Sequence, residues 1–214
     1  YGDDLELPRV IGEIKRLENG GTLSAMLGVH ALKRGYSTTL YTYNLNMFDP
    51  TWFAAGMGEV RGKLAEQVRH KQKRRLLAAT DGYLEYLDLG GKLAFEDLTR
   101  ALITRYLSRG IPILTGLSAT YLYRAPREFG PQSEADDIRG YPAGHFVVLT
   151  GIDSATEKVQ IADPLTPNPL FSTPLYEVDI DRVICSILLG ILTYDDTLLI
   201  IEPEFGVEGE ERVS

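Results

Sequence analysis

The stretch GHFVVLTGIDSATEKVQIADPL, residues 144–165, decides how this chain reads. His145-Phe146-Val147-Val148-Leu149 is β-branched and aromatic, as a buried strand requires. Residues 151–157 carry Asp, Ser and Thr, which form turns. Lys158-Val159-Gln160-Ile161 then alternates polar and apolar, and Asp163-Pro164 stops the strand. Paired as a hairpin, the two strands bring the head of the first beside the tail of the second. His145 and Asp163 then meet at the open end, where an acid can fix the tautomer of an imidazole. They are two members of a nucleophilic triad, and the third member would be an upstream Cys, Ser or Thr.

Working outward, 214 residues suit one domain, and a hydrophobic content of 44% allows a sizeable core. The net charge of −8, from 22 basic and 30 acidic side chains, argues against a general nucleic-acid binder and against anionic membrane surfaces. Cys185 is the single cysteine, so no intrachain disulfide can form and a reducing, cytoplasmic setting is expected. No signal peptide and no apolar run of membrane-spanning length is evident; the longest candidate, residues 187–192, is short and contains Gly190.

Pro8 suits the first turn of a short helix with Val10, Ile11 and Ile14 inward, ended by Gly20-Gly21. Thr22 is an expected N-cap for a helix over 23–34, with Leu23, Met26, Leu27, His30 and Ala31 on its apolar stripe and Gly35 closing it. A strand follows over 36–43. Residues 59–87 are charged and mostly helical, up to the break at Gly90-Gly91, and 95–108 form an amphipathic helix with Leu98, Leu102 and Tyr106 inward. Residues 110–117 read as a buried strand, and 124–142 as a long polar surface loop. After the hairpin, Pro164, Pro167, Pro169 and Pro174 mark an extended segment. A helix over 179–189, a strand over 197–201 and a frayed acidic tail from Glu202 complete the chain. Helices early and strands late favour an α+β fold.

Three motifs resemble the papain-like cysteine peptidases, in particular the bacteriocin-processing (double-glycine) peptidases and their stand-alone relatives. They are Tyr1-Gly2-Asp3 with Leu5, Leu7 and Ile11; Gly20-Gly21-Thr22-Leu23; and Gly110-Ile111-Pro112-Ile113 followed by the His145 strand and Asp163-Pro164. The resemblance implies a bacterial cysteine peptidase of papain-like fold, with N-terminal helices packed on a C-terminal antiparallel sheet. It implies one domain over 1–214 with a helical insertion at about 50–95, and further inserted sequence at 120–140. It also implies a Cys-His-Asp triad in which His145 is the base and Asp163 its orienting acid, acting on a peptide or protein substrate. The family's nucleophilic Cys and oxyanion-hole Gln precede the Tyr-Gly pair and are not matched here. The chain is therefore expected to lack its first helix and not to be competent alone. Related folds that have lost the Cys hold peptides without cutting them, so a non-catalytic peptide-binding module is the alternative. A structural α+β domain in which His145 and Asp163 meet by coincidence is the third reading.

The other reactive side chains have ordinary readings. Cys185, in the run VICSILL, is expected as a small core hydrophobe. His30 is expected to be a satisfied core residue or half-buried on a helix stripe, and His70, in RHKQKRR, on a solvated helix face. No metal is expected, because the three histidines are scattered and no Cys-x-x-Cys or His-Glu-x-x-His occurs. No cofactor is expected either, since Gly56-Met57-Gly58 lacks the strand and Lys-Ser/Thr of a phosphate loop. Tyr121, Tyr123, Phe129 and Tyr141 surround the polar loop and are placed either along a substrate groove or in ordinary loop packing.

Overall fold

The computed structural model describes residues 1–17, 21–193 and 196–203. Gly20 and most of the acidic tail lie outside the described residues. The chain opens with α1 (Leu7–Glu13), α2 (Ser24–Lys33) and β1 (Tyr36–Thr42), followed by α3 (Met57–Gln67), α4 (Arg74–Asp88), β2 (Lys92–Ala94) and α5 (Arg100–Leu107). Next come β3 (Ile113–Ser118), the short α6 (Ala119–Tyr123) and a small hairpin of β4 (Glu128–Phe129) and β5 (Glu134–Ala135) within the polar loop. The chain continues with β6 (Gly144–Asp153), β7 (Lys158–Ala162), β8 (Leu175–Asp179), α7 (Ile180–Leu188) and β9 (Thr197–Pro203).

Seven strands form one sheet in the order β2-β1-β9-β3-β6-β7-β8. Only the β1–β2 pair is parallel. The fold is thus α+β with a large, mostly antiparallel sheet. Its arrangement differs in one respect from helices laid against a C-terminal sheet: the early strand β1 zips onto the last strand, from Tyr36↔Pro203 to Thr42↔Thr197.

Strand alternation gives the sheet two buried faces. Tyr41, Ile113, Leu117, Val147, Leu149, Val159, Ile161, Leu198 and Ile200 pack with residues of α5, α6 and α7. Leu40 and Leu199 pack on the other face with α2, α3 and α4. Residues 50–95, read as an insertion, supply Val60, Leu64, Leu76, Ala79, Tyr83 and Tyr86 to this second core.

Local capping explains several element bounds. Asp49, Thr99, Ser118 and Asp179 each accept a backbone N–H at a helix start. Thr22 does not cap α2; its hydroxyl donates to the Lys15 carbonyl instead, and Leu23 takes the cap position. The buried side of α2 is correspondingly rotated to Ala25, Met26, Val29 and Ala31. α1 fully buries none of its residues; of its expected inner face Val10 and Ile14 are half-buried and Ile11 is exposed. The strand β8 went unforeseen because prolines crowd the preceding segment; its alternation of exposed and buried residues is nonetheless regular.

Tyr86 pins the second core. It is fully buried, its hydroxyl accepts from Thr38 Oγ1 at 2.9 Å, and it donates to the Lys92 carbonyl at 3.1 Å. Gly28 of α2 leaves room for the ring: a Cβ there would lie 2.5 Å from Tyr86 Cε2, and one at Gly91 would collide with the same ring. Gly28→Ala is therefore expected to destabilise by about 1–3 kcal/mol. The cost should fall in a Tyr86→Leu background, which a double-mutant cycle on urea midpoints will read as a coupling between the two sites.

Candidate active site

The candidate site is assembled where β6 begins and β7 ends. His145 lies opposite Leu117 of β3, and the Val148↔Ala162 pairing carries the end of β7 alongside the head of β6. The strand start is anchored on α6: Ala119 N–H donates to the Ala143 carbonyl at 2.9 Å, and Ala143 N–H donates to Thr120 Oγ1 at 3.0 Å.

The expected contact is present. His145 Nε2 lies 2.7 Å from Asp163 Oδ1. The carboxylate side chain is wholly buried, whereas the imidazole keeps one fifth of its surface exposed. Asp163 receives four further donors. Leu165 N–H reaches Oδ1 at 2.9 Å. The Tyr123 and Tyr176 hydroxyls each donate to Oδ2 at 2.5 Å, and Asn168 Nδ2 donates to it at 3.1 Å. Asn168 is itself fixed, since its Oδ1 accepts from Leu170 and Phe171 N–H. The Phe171 ring stacks on Tyr176 with centroids 3.7 Å apart.

Burial pushes the Asp163 carboxyl up, but the hydrogen bonds from Tyr123, Tyr176, His145 and the Leu165 N–H together outweigh it, and the group sits below its ordinary value. Burial, with the adjoining carboxylate, raises both tyrosine hydroxyls, so they remain protonated donors. An ionised Asp163 accepts a hydrogen bond from the imidazole Nε2–H. The neutral ring then presents the lone pair of Nδ1, and this is the geometry of a base held in one tautomer.

The other reactive residues fall elsewhere. Cys185 is exposed, which corrects its reading as core. In α7 the inward positions are Ile180, Val183 and Ile187, and at 100° per residue position 185 turns away from them. His30 is half-buried on α2 as expected, 2.9 Å from Glu13. His70 is exposed, in the turn after α3 rather than on the helix, and contacts Glu66. Tyr141 is exposed, and Phe129 lies beneath the Arg139 guanidinium, 4.4 Å from its ring centroid. No group of metal ligands occurs among the described residues, nor a helix long and apolar enough to cross a membrane.

Residues 39–171 match the model of a family described as the Peptidase_C39 like family, a span that includes His145 and Asp163. The chain belongs to this family. No curated protein and no solved structure matches it.

Within this Peptidase_C39-like chain the sequence reading found the His–Asp pair but not its support. Tyr176 and Asn168 were passed over, and Tyr123 was weighed only as groove or loop packing. The alternation of Tyr176 and Val178 in LYEVD was a usable strand signal. The convergence of Tyr123 on the same oxygen was not, because it depends on how α6 meets β8.

Removing one donor, as in Tyr123→Phe or Tyr176→Phe, is expected to cost about 1–3 kcal/mol in urea midpoint-derived stability. The carboxyl is depressed in the folded state, so its ionised form contributes stability fully above the unfolded value of ~3.9. That contribution is lost as pH falls through the folded value. The stability gap between wild type and Asp163→Asn should therefore be constant near neutrality and close below about pH 4. A gap unchanged down to about pH 2.5 would show that the carboxylate charge carries no stability.

Proposed function

We propose that the protein is a cysteine peptidase-like hydrolase of papain-like fold that cleaves peptide or amide bonds, with His145 as proton shuttle and Asp163 as its orienting acid. The observation that carries this reading is the 2.7 Å contact between His145 Nε2 and a buried, five-donor carboxylate, in a chain of the Peptidase_C39-like family. A His held in this way accepts the thiol proton on Nδ1, and the thiolate adds to the scissile carbonyl. The imidazolium then protonates the leaving amine as the acyl-enzyme forms. Water, activated by the same ring, releases the acid product.

We assign the thiol to a segment N-terminal to Tyr1. Cys185 is a poor nucleophile for this dyad, because no contact joins it to His145 and it follows both partners in the chain. We propose that a further helix packs along β3 and β6, where Leu114, Phe146 and Val148 are half-buried on the sheet face opposite α5 to α7 and the segment of Tyr1, Asp3 and Leu5 lies nearby. A groove of about 360 Å³ there is lined by Leu114, Val148, Leu199 and Ile201. The single domain we propose over residues 1–214 would be completed by that helix. A chain with one cysteine suits a reducing, cytoplasmic setting.

The test uses the product of the complete gene. A thiol-directed probe should label a cysteine N-terminal to Tyr1, and its alkylation should abolish hydrolysis of a peptide library. His145→Ala should lower the turnover number by about 10²–10⁴-fold in a protein that still folds, its stability reduced only by the about 1–3 kcal/mol that loss of one Asp163 donor costs. Labelling confined to Cys185, or hydrolysis indifferent to His145, would overturn the assignment and leave a peptide-binding module of the same fold.

A further inference from the structure

A second cavity, of about 860 Å³, opens beside the His145–Asp163 pair without including either residue. Its walls are continuous with the cradle. Tyr121 belongs to α6, whose last residue Tyr123 bonds Asp163. Pro142 lies three residues before His145, and Phe171 stacks on Tyr176.

The cavity holds two arginines, Arg124 and Arg182, in a molecule whose net charge is −8. Several arginines here find acids, among them Arg34 with Asp3, Arg61 with Asp88, and Arg100 with Glu157 and Asp181, whereas Arg16, Arg74 and Arg127 do not among the described residues. Arg124 and Arg182 have no ion-pair partner among the described residues. Arg182 Nη2 is moreover buried with no hydrogen-bond acceptor. A guanidinium nitrogen taken out of water and given no acceptor is costly, and an acceptor from a ligand removes that cost. Three carboxylates also line the cavity, but none supplies this acceptor. Asp181 is held at both oxygens by Arg100, Asp179 accepts the Asp181 N–H at the start of α7, and Glu177 is at an exposed position of β8. Planar guanidinium groups match carboxylates, which they can bind through two parallel N–H donors.

We propose that this cavity binds a carboxylate of the peptide substrate, received by Arg182 and Arg124. That the ligand is a substrate rests on the reading proposed above; that the cavity takes a carboxylate does not. The carboxylate is either an acidic side chain or a free C-terminus.

Cys185 lines the same cavity and reports on it. The 214-residue chain is alkylated with iodoacetate and with iodoacetamide, and Cys185 is followed by peptide mapping, with glutathione as the free-thiol reference. The acetate-to-acetamide rate ratio at Cys185 should exceed that of glutathione by about three- to tenfold. It should fall to the reference in Arg182→Gln, with exposed Arg124→Gln as the second variant if the first fails to fold. Three peptides then compete at millimolar concentration: acetyl-Ala₃ with a free C-terminus, its amide, and an amidated acetyl-Ala-Glu-Ala. Protection by the first marks a C-terminal carboxylate, and protection by the third an acidic side chain. Protection by neither, or a wild-type ratio at or below the reference, overturns the proposal. Because alkylation needs no turnover, repeating it in His145→Ala separates failure of this site from failure of the hydrolase reading.

Discussion

Everything around the candidate site is organised by one buried carboxylate. Asp163 is surrounded by donors from a strand head, a short helix, an edge strand and the loop that follows it. A buried charge is tolerated only when its lone pairs are filled, and here each oxygen receives at least two donors. The same bonds fix where β6, β8 and α6 sit relative to one another. Site geometry and local packing are therefore one requirement: the sheet cannot shift its register near His145 without leaving a charge unsatisfied.

The two faces of the sheet divide the labour. The side covered by α5, α6 and α7 carries Tyr123 and Tyr176, which reach the Asp163 carboxylate from within the core. The side covered by α2 to α4 is organised around Tyr86, with Gly28 and Gly91 giving way to its ring. The strip along β3 and β6 on this second side is less fully covered.

Much of this was legible in residue patterns, and the reasons differ by element. The hairpin over 144–165 announced itself through a β-branched run, a turn-forming segment and an alternating return, and so placed His145 against Asp163. The start of α5 lies five residues later than periodicity suggests because Thr99 caps it, and α7 begins one residue later because Asp179 is its cap. Cys185 was misplaced because an apolar run suggests burial all round, whereas a surface helix buries one side only. The tyrosine donors and the unpaired arginines were not legible, since each depends on elements far apart in sequence meeting at one point.

The position of β8 at the rim of the sheet carries a final implication. Edge strands open more readily than central ones, and Tyr176 and the stacked Phe171 belong to this margin. Fraying of that margin would strip a donor from Asp163 Oδ2 while the central strands stayed intact. Heating should then loosen the setting of this carboxylate before the domain melts, making the outermost strand the thermal fuse of the molecule.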